Sequence, residues 1–143
     1  MAIDDLLRSG RIRRERISPA EVREALTLAD RDLRVARKLI GEDLDWGFTV
    51  AYSAVLQAAR AFMFAKGYRP ATAEGHKNTF AFLAAALGPE QEDLVGYFDR
   101  MRNKRNQAVY GMAGRIAETE ARNLLAKATE FVRLVTRLVK HAP

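Results

Sequence analysis

Between Leu44 and Phe64 nearly every side of a helical turn is apolar: Leu44, Trp46, Phe48, Val50, Tyr52, Val55, Leu56, Phe62, Met63 and Phe64. A helix without a polar face has to be enclosed. No stretch of the chain approaches the roughly 18 uninterrupted apolar residues of a membrane span, so the enclosure expected is a set of other helices. This segment is therefore predicted to be the central, most buried helix, capped by Asp43 and running to about Lys66, before Gly67. Its polar residues fall in one stripe, Thr49, Ser53, Gln57 and Arg60, which either meets water or lines a cleft.

The flanking segments carry the amphipathic pattern that such enclosure needs. Ser18-Pro19-Ala20-Glu21 is a helix start, because serine caps, proline suits the first helical position and glutamate three residues on completes a capping box. Val22, Leu26, Ala29, Leu33, Ala36 and Ile40 then form an apolar seam that ends at Gly41. Tyr68-Arg69-Pro70 reads as a turn, and a fourth helix carries Phe80, Leu83, Ala84 and Leu87 before Gly88-Pro89. A fifth helix is predicted from Pro89 to Tyr110, stopping at Gly111-Met112-Ala113-Gly114. A sixth runs from Glu118 to Lys140 with Leu124, Ala128, Phe131, Val135 and Leu138 as its seam. Residues 3–8 make a short helix. No β alternation is visible, so the fold class expected is all-α: an antiparallel up-and-down bundle of four to five main helices plus the short N-terminal one. Residues 1–18 read as a basic N-terminal segment and 19–143 as the bundle.

At 143 residues and 48% apolar content the chain can bury one core. With 24 Lys and Arg against 18 Asp and Glu, the net charge of +6 favours an anionic partner, nucleic acid first and an acidic protein second. The absence of cysteine removes disulfides, thiolate metal sites and cysteine nucleophiles. The two histidines, His76 and His141, lack metal-ligand spacing, so neither metal nor cofactor is expected. The start of the chain lacks the order of a signal peptide, and a cytoplasmic location is expected.

Several features admit a plain reading beside a functional one. The arginines from Arg8 to Arg16 suit a solvated linker beside Asp4, Asp5 and Glu15, or an arm for nucleic acid without aromatic residues to stack bases. Trp46, Tyr52 and Phe62 read as core rather than a ligand cage. His76 reads as a helix-start residue, and as a base only if the fold brings it to Tyr110. His141 lies in a tail expected to fray.

The fifth helix holds the sharpest signal. Its seam runs Leu94, Phe98, Met101, Arg105, Ala108, so an arginine occupies a core-facing position. A buried unpaired guanidinium costs several kcal/mol, as an order of magnitude, so Arg105 needs a partner or an open cleft. Arg102, Asn106 and Tyr110, four residues apart, form a second stripe beside it. Two arginines, an amide and a phenol are groups that grip phosphate through charge-assisted hydrogen bonds. The alternative is structural: pairing with Asp30 or Asp32, and basic residues complementing a helix C-terminus.

Arg105-Asn106-Gln107-Ala108-Val109-Tyr110 resembles the signature of the HEPN (higher eukaryotes and prokaryotes nucleotide-binding) domains: an arginine, a polar residue, three more residues and a histidine near the end of a late helix. The segments Ala51–Ala61, Ala65–Pro70 and Gly75–Phe80 are similar to that family's central helix, following turn and next helix start, and the resemblance runs from about residue 19 to 140. It implies a bundle that dimerises with two motif copies facing each other, and a role as metal-independent endoribonuclease, nucleotide binder or toxin beside a nucleotidyltransferase-like antitoxin. In this chain Tyr110 stands at the histidine position. A free phenol has a pKa of about 10 and an imidazole about 6.5, so tyrosine is a poor general base at neutral pH. The function expected is thus a dimeric nucleotide- or RNA-phosphate-binding module, weakly or not catalytic, using Arg102, Arg105, Asn106 and Tyr110, and belonging to a toxin–antitoxin pair. The alternatives are a ribonuclease with Arg105 on the phosphate and Tyr110, or a residue from elsewhere, replacing the histidine; and a non-catalytic interaction bundle.

Overall fold

The computed structural model describes residues 2–71, 75–111 and 116–140, with Tyr110 described by its backbone alone. The stop expected at 112–114, the Tyr110 side chain and His141 lie outside the described residues. The elements run α1 (Ile3–Arg8), β1 (Ile12–Arg14), α2 (Pro19–Ile40), α3 (Leu44–Ala65), β2 (Tyr68–Pro70), α4 (Gly75–Leu87), a 3-10 turn (Pro89–Gln91), α5 (Glu92–Tyr110) and α6 (Glu118–Lys140). The all-α bundle is the architecture, with α3 packed against α2, α4, α5 and α6.

Local chemistry accounts for the helix starts. The Ser18 hydroxyl accepts from the Glu21 N–H at 3.2 Å and the Glu21 carboxylate accepts from the Ser18 N–H at 3.0 Å, closing the capping box ahead of Pro19. Asp43 accepts from the Trp46 N–H at 3.1 Å to start α3, and Gly67, at φ +87°, takes the chain out of it. The enclosure of α3 is thorough: Phe48, Tyr52, Val55 and Met63 are buried together with a ladder of alanines that lets neighbouring helices approach closely. By length and composition α3 is also apolar enough to cross a membrane, but here it is the buried core of the bundle.

Several expectations are corrected. Tyr68-Arg69-Pro70 is a strand, not a turn, and pairs antiparallel with Ile12–Arg14 in the register Ile12↔Pro70, Arg13↔Arg69, Arg14↔Tyr68. Strands of three residues are too short to display alternation, and their pairing is non-local, so no sequence window contains it. The N-terminal segment is accordingly packed rather than a solvated linker: Leu6 and Ile12 are buried, and Arg69 forms ion pairs with both Glu15 and Glu21. Arg14 lies over the Tyr68 ring, and the Arg11 Nε donates to the Asn78 carbonyl oxygen at 2.9 Å.

Trp46, expected in the core, is 56% exposed. The first turn of α3 presses Gly47 against Ile40 at the end of α2, and the neighbouring position on a helix points about 100° away from that contact. Helix five begins later than expected, because Pro89 opens the 3-10 turn and the α-helix proper starts at Glu92. On α6 the seam is buried from Leu124 to Val135, while Leu138 near its end is 39% exposed.

Candidate nucleotide-binding site

The carboxyl half of α5 lies against α3 and the start of α4. Phe98 is fully buried against Phe131, with ring centroids 5.2 Å apart, and this contact fixes the rotation of α5. Two turns further on, the seam position is Arg105. Its guanidinium is half-buried over the face of Tyr52, 5.9 Å from the ring centroid, and donates to the Asn106 carbonyl oxygen at 3.1 Å. It makes no ion pair among the described residues. Asp32, which lines the same hollow, accepts from the Ser53 hydroxyl at 2.8 Å and from Arg31 at 2.9 Å, and Asp99 is paired with Arg102 on its own helix at 3.2 Å. The alternative, pairing of Arg102 and Arg105 with Asp30 or Asp32, is not made among the described residues. Lys104 belongs to a different contact, an ion pair with Glu120 on α6.

The polar stripe of α3 lines a cleft in part. Thr49 and Ser53, with Tyr52, form one wall of a hollow of about 360 Å³ that Arg105 and His76 close from the other side, whereas Arg60 is exposed. Directly beside it a second hollow of about 290 Å³ is lined by Gly75, His76, Lys77, Arg102 and Asn106. His76 is common to both. The two stripes read from the sequence of α5 thus open into adjoining hollows, with the first residues of α4 as the opposite wall. The first turn of a helix presents N–H groups and the positive end of its dipole, so this wall attracts anions as the arginines do.

His76, read from the sequence as a helix-start residue and as a base only beside Tyr110, and Tyr52, read as core, meet at this site. The Tyr52 hydroxyl is 3.2 Å from His76 Nδ1 and the two rings are 5.9 Å apart. The only sequence signal was indirect, a histidine in the Gly75–Phe80 segment of the family resemblance. Burial raises the Tyr52 pKa well above its ordinary value against the opposing pull of Arg102 and Arg105, so the phenol stays protonated. Burial lowers the His76 pKa, and Arg105, Arg60 and Arg102 lower it further, so the imidazole is neutral at pH 7.

A histidine with a folded pKa below its unfolded value of about 6.5 takes up its proton more readily in the unfolded chain. Stability therefore rises with pH in that window: the contribution is fully present above about pH 6.5 and is lost as the pH falls through the folded pKa. Proton NMR should show the His76 ring titrating with a midpoint below about 6.5, moved upward by Arg105→Ala. A midpoint at or above the free value in the wild-type protein would contradict the geometry described.

Among the described residues no group of three or more His, Cys, Asp or Glu is placed so that it could hold a metal ion. The model of the HEPN domain family matches residues 22–138 of this sequence. The chain belongs to the HEPN domain family. No curated protein matches it. The matched span starts in α2 and ends in α6, so it takes in α3, α4, α5 and both hollows, and it places the chain in a family whose members are generally connected with nucleotides and RNA.

Proposed function

We propose that the double hollow between α3, α4 and α5 binds the phosphate of a nucleotide or RNA strand. The observation that carries this reading is the convergence of Arg102, an Arg105 without an ion pair, and the first turn of α4 on His76. Guanidiniums bind phosphate through two parallel N–H donors, and a phosphate there would supply the anion that Arg105 lacks among the described residues. Asn106 adds an amide at the same rim. In this reading Tyr110 continues the Arg102–Asn106 stripe as a further donor, and the protein acts as a cytoplasmic homodimer whose motif copies face each other, as HEPN domains typically do. The 56%-exposed Trp46, beside Ala108 and Val109 at the end of α5, supports a covered surface there. A toxin–antitoxin role with a nucleotidyltransferase-like partner belongs to the same proposal and rests on the family alone.

A second reading is favoured by one observation: a neutral imidazole already stands among the phosphate-gripping groups. In metal-independent RNA cleavage a base removes the ribose 2′-hydroxyl proton and the 2′-oxygen bonds to phosphorus. The bond to the 5′-oxygen breaks, and that oxygen takes up a proton. His76, oriented by Tyr52, would be the base that the family motif lacks at Tyr110, with Arg105 stabilising charge on the phosphate.

Purified protein incubated with a labelled oligoribonucleotide in EDTA at low salt separates the readings. Binding without new 2′,3′-cyclic-phosphate ends fits the first. Ends that disappear in His76→Ala and Arg105→Ala establish the second. A protein that binds neither nucleotides nor RNA under these conditions is the interaction bundle instead.

A further inference from the structure

A second concentration of basic side chains without ion pairs among the described residues lies between α2 and α6, outside the hollows of this site. α2 and α6 pack side by side and leave between them a groove of about 540 Å³. Its walls carry Arg34 and Arg37 from α2 and Arg133 and Arg137 from α6, and its floor is apolar, with Leu33 and Val132 buried. Helical geometry assembles this set, because positions three and four apart share a face: 33, 34 and 37 on one helix, 132, 133 and 137 on the other.

All four guanidiniums are exposed, and none forms an ion pair or hydrogen bond among the described residues. Other arginines of the surface do find acids: Arg8 with Asp5, Arg31 with Asp32, Arg122 with Glu118. One carboxylate, Asp30, lines the groove and pairs with none of the four. Four positive charges against one negative, facing one another across a groove with an apolar floor, repel one another and raise the local concentration of anions. Thr129 and Thr136 also line the groove, but their hydroxyls donate to the Leu125 and Val132 carbonyl oxygens at 2.8 and 2.7 Å. The donors left for a ligand are the guanidiniums, whose forked N–H groups match phosphate oxygens. No aromatic side chain lines the groove, so it offers no platform on which a base could stack.

We propose that this groove is a second anion site, one that holds successive phosphates of a single-stranded RNA backbone without regard to sequence. It shares no lining residue with the hollows between α3, α4 and α5, so it stands or falls independently of them.

The test is the salt dependence of affinity for a fluorescent uridine 12-mer, followed by anisotropy for three proteins: wild type, the groove variant R34A/R37A/R133A/R137A, and the site variant R102A/R105A. Each phosphate contact to single-stranded nucleic acid contributes about 0.7 to the slope of log affinity against log salt. The groove variant should lose about 1.4 to 2.8 of that slope, for two to four contacts, while the site variant keeps this part. The charge-preserving variant R34K/R37K/R133K/R137K should retain the slope and guards against a folding defect in the alanine protein. Inorganic tripolyphosphate should compete with the 12-mer on the site variant; if only it binds, and the 12-mer does not, the ligand is a free polyphosphate and the RNA assignment fails. Equal slopes for wild type and the groove variant overturn the proposal even when R102A/R105A abolishes binding. A wild-type protein with no salt-dependent affinity for the 12-mer overturns it as well.

Discussion

Alanine at both Arg102 and Arg105 should weaken nucleotide binding by about a hundredfold or more while leaving the bundle folded. A hydrogen bond to a charged group contributes roughly 1.5–3 kcal/mol, and about 1.4 kcal/mol is a factor of ten, so the loss of two guanidiniums that grip one phosphate amounts to at least two decades. The stability side is small. Arg102 leaves behind only its pair with Asp99, which is half exposed and of a kind that contributes at most about 1 kcal/mol, and Arg105 leaves its stacking on Tyr52, about 0.5–1 kcal/mol at a partly exposed site. Isothermal titration with a nucleoside triphosphate, beside a thermal melt of each variant, reads both quantities. Affinity retained within about twofold would move the phosphate site away from α5.

Gly47→Ala should destabilise the protein, against the sign that helix propensity gives. In the interior of a solvated helix alanine is better than glycine by about 1 kcal/mol. Here a Cβ on residue 47 would stand 2.6 Å from Ile40 Cγ1 and 2.9 Å from the Ile40 Cα and N, and the last two are backbone atoms of α2 that cannot rotate aside. Relief requires the end of α2 and the start of α3 to separate, at the point where Ile40 is buried and the connection between the helices is only three residues long. Overpacking of this kind costs typically 1–3 kcal/mol and, against backbone atoms that cannot move aside, falls at the upper end of that range, so the net loss after the propensity gain is up to about 2 kcal/mol and the melting temperature falls by several degrees. A melting temperature equal to or above that of the wild type would show that the helices part freely there.

The bundle was legible because its signals are local. The capping box at Ser18 and Glu21, the Asp43 cap, the seam of α2 and the unbroken apolarity of α3 each lie within one helix, and periodicity reads them directly. The pairing of Ile12–Arg14 with Tyr68–Pro70 was not legible, since short strands distant in the chain carry no periodic signal. Trp46 shows the limit of composition: an apolar helix still has an end, and what covers that end depends on where its neighbours stop.

At the candidate site the division falls within a single helix. The sequence by itself determined that Arg105 interrupts an apolar seam and that Arg102 and Asn106 lie on the adjoining stripe, because the helical period fixes angles around one axis. It could not determine what faces them. Only the tertiary structure brought Tyr52 under Arg105, engaged Asp32 with Ser53, and set His76 at the junction of the two hollows, since these contacts depend on the packing of separate helices. The four-arginine groove has the same origin: α2 and α6 each contribute two of their surface arginines, and their packing alone turns these into one surface for an anionic ligand.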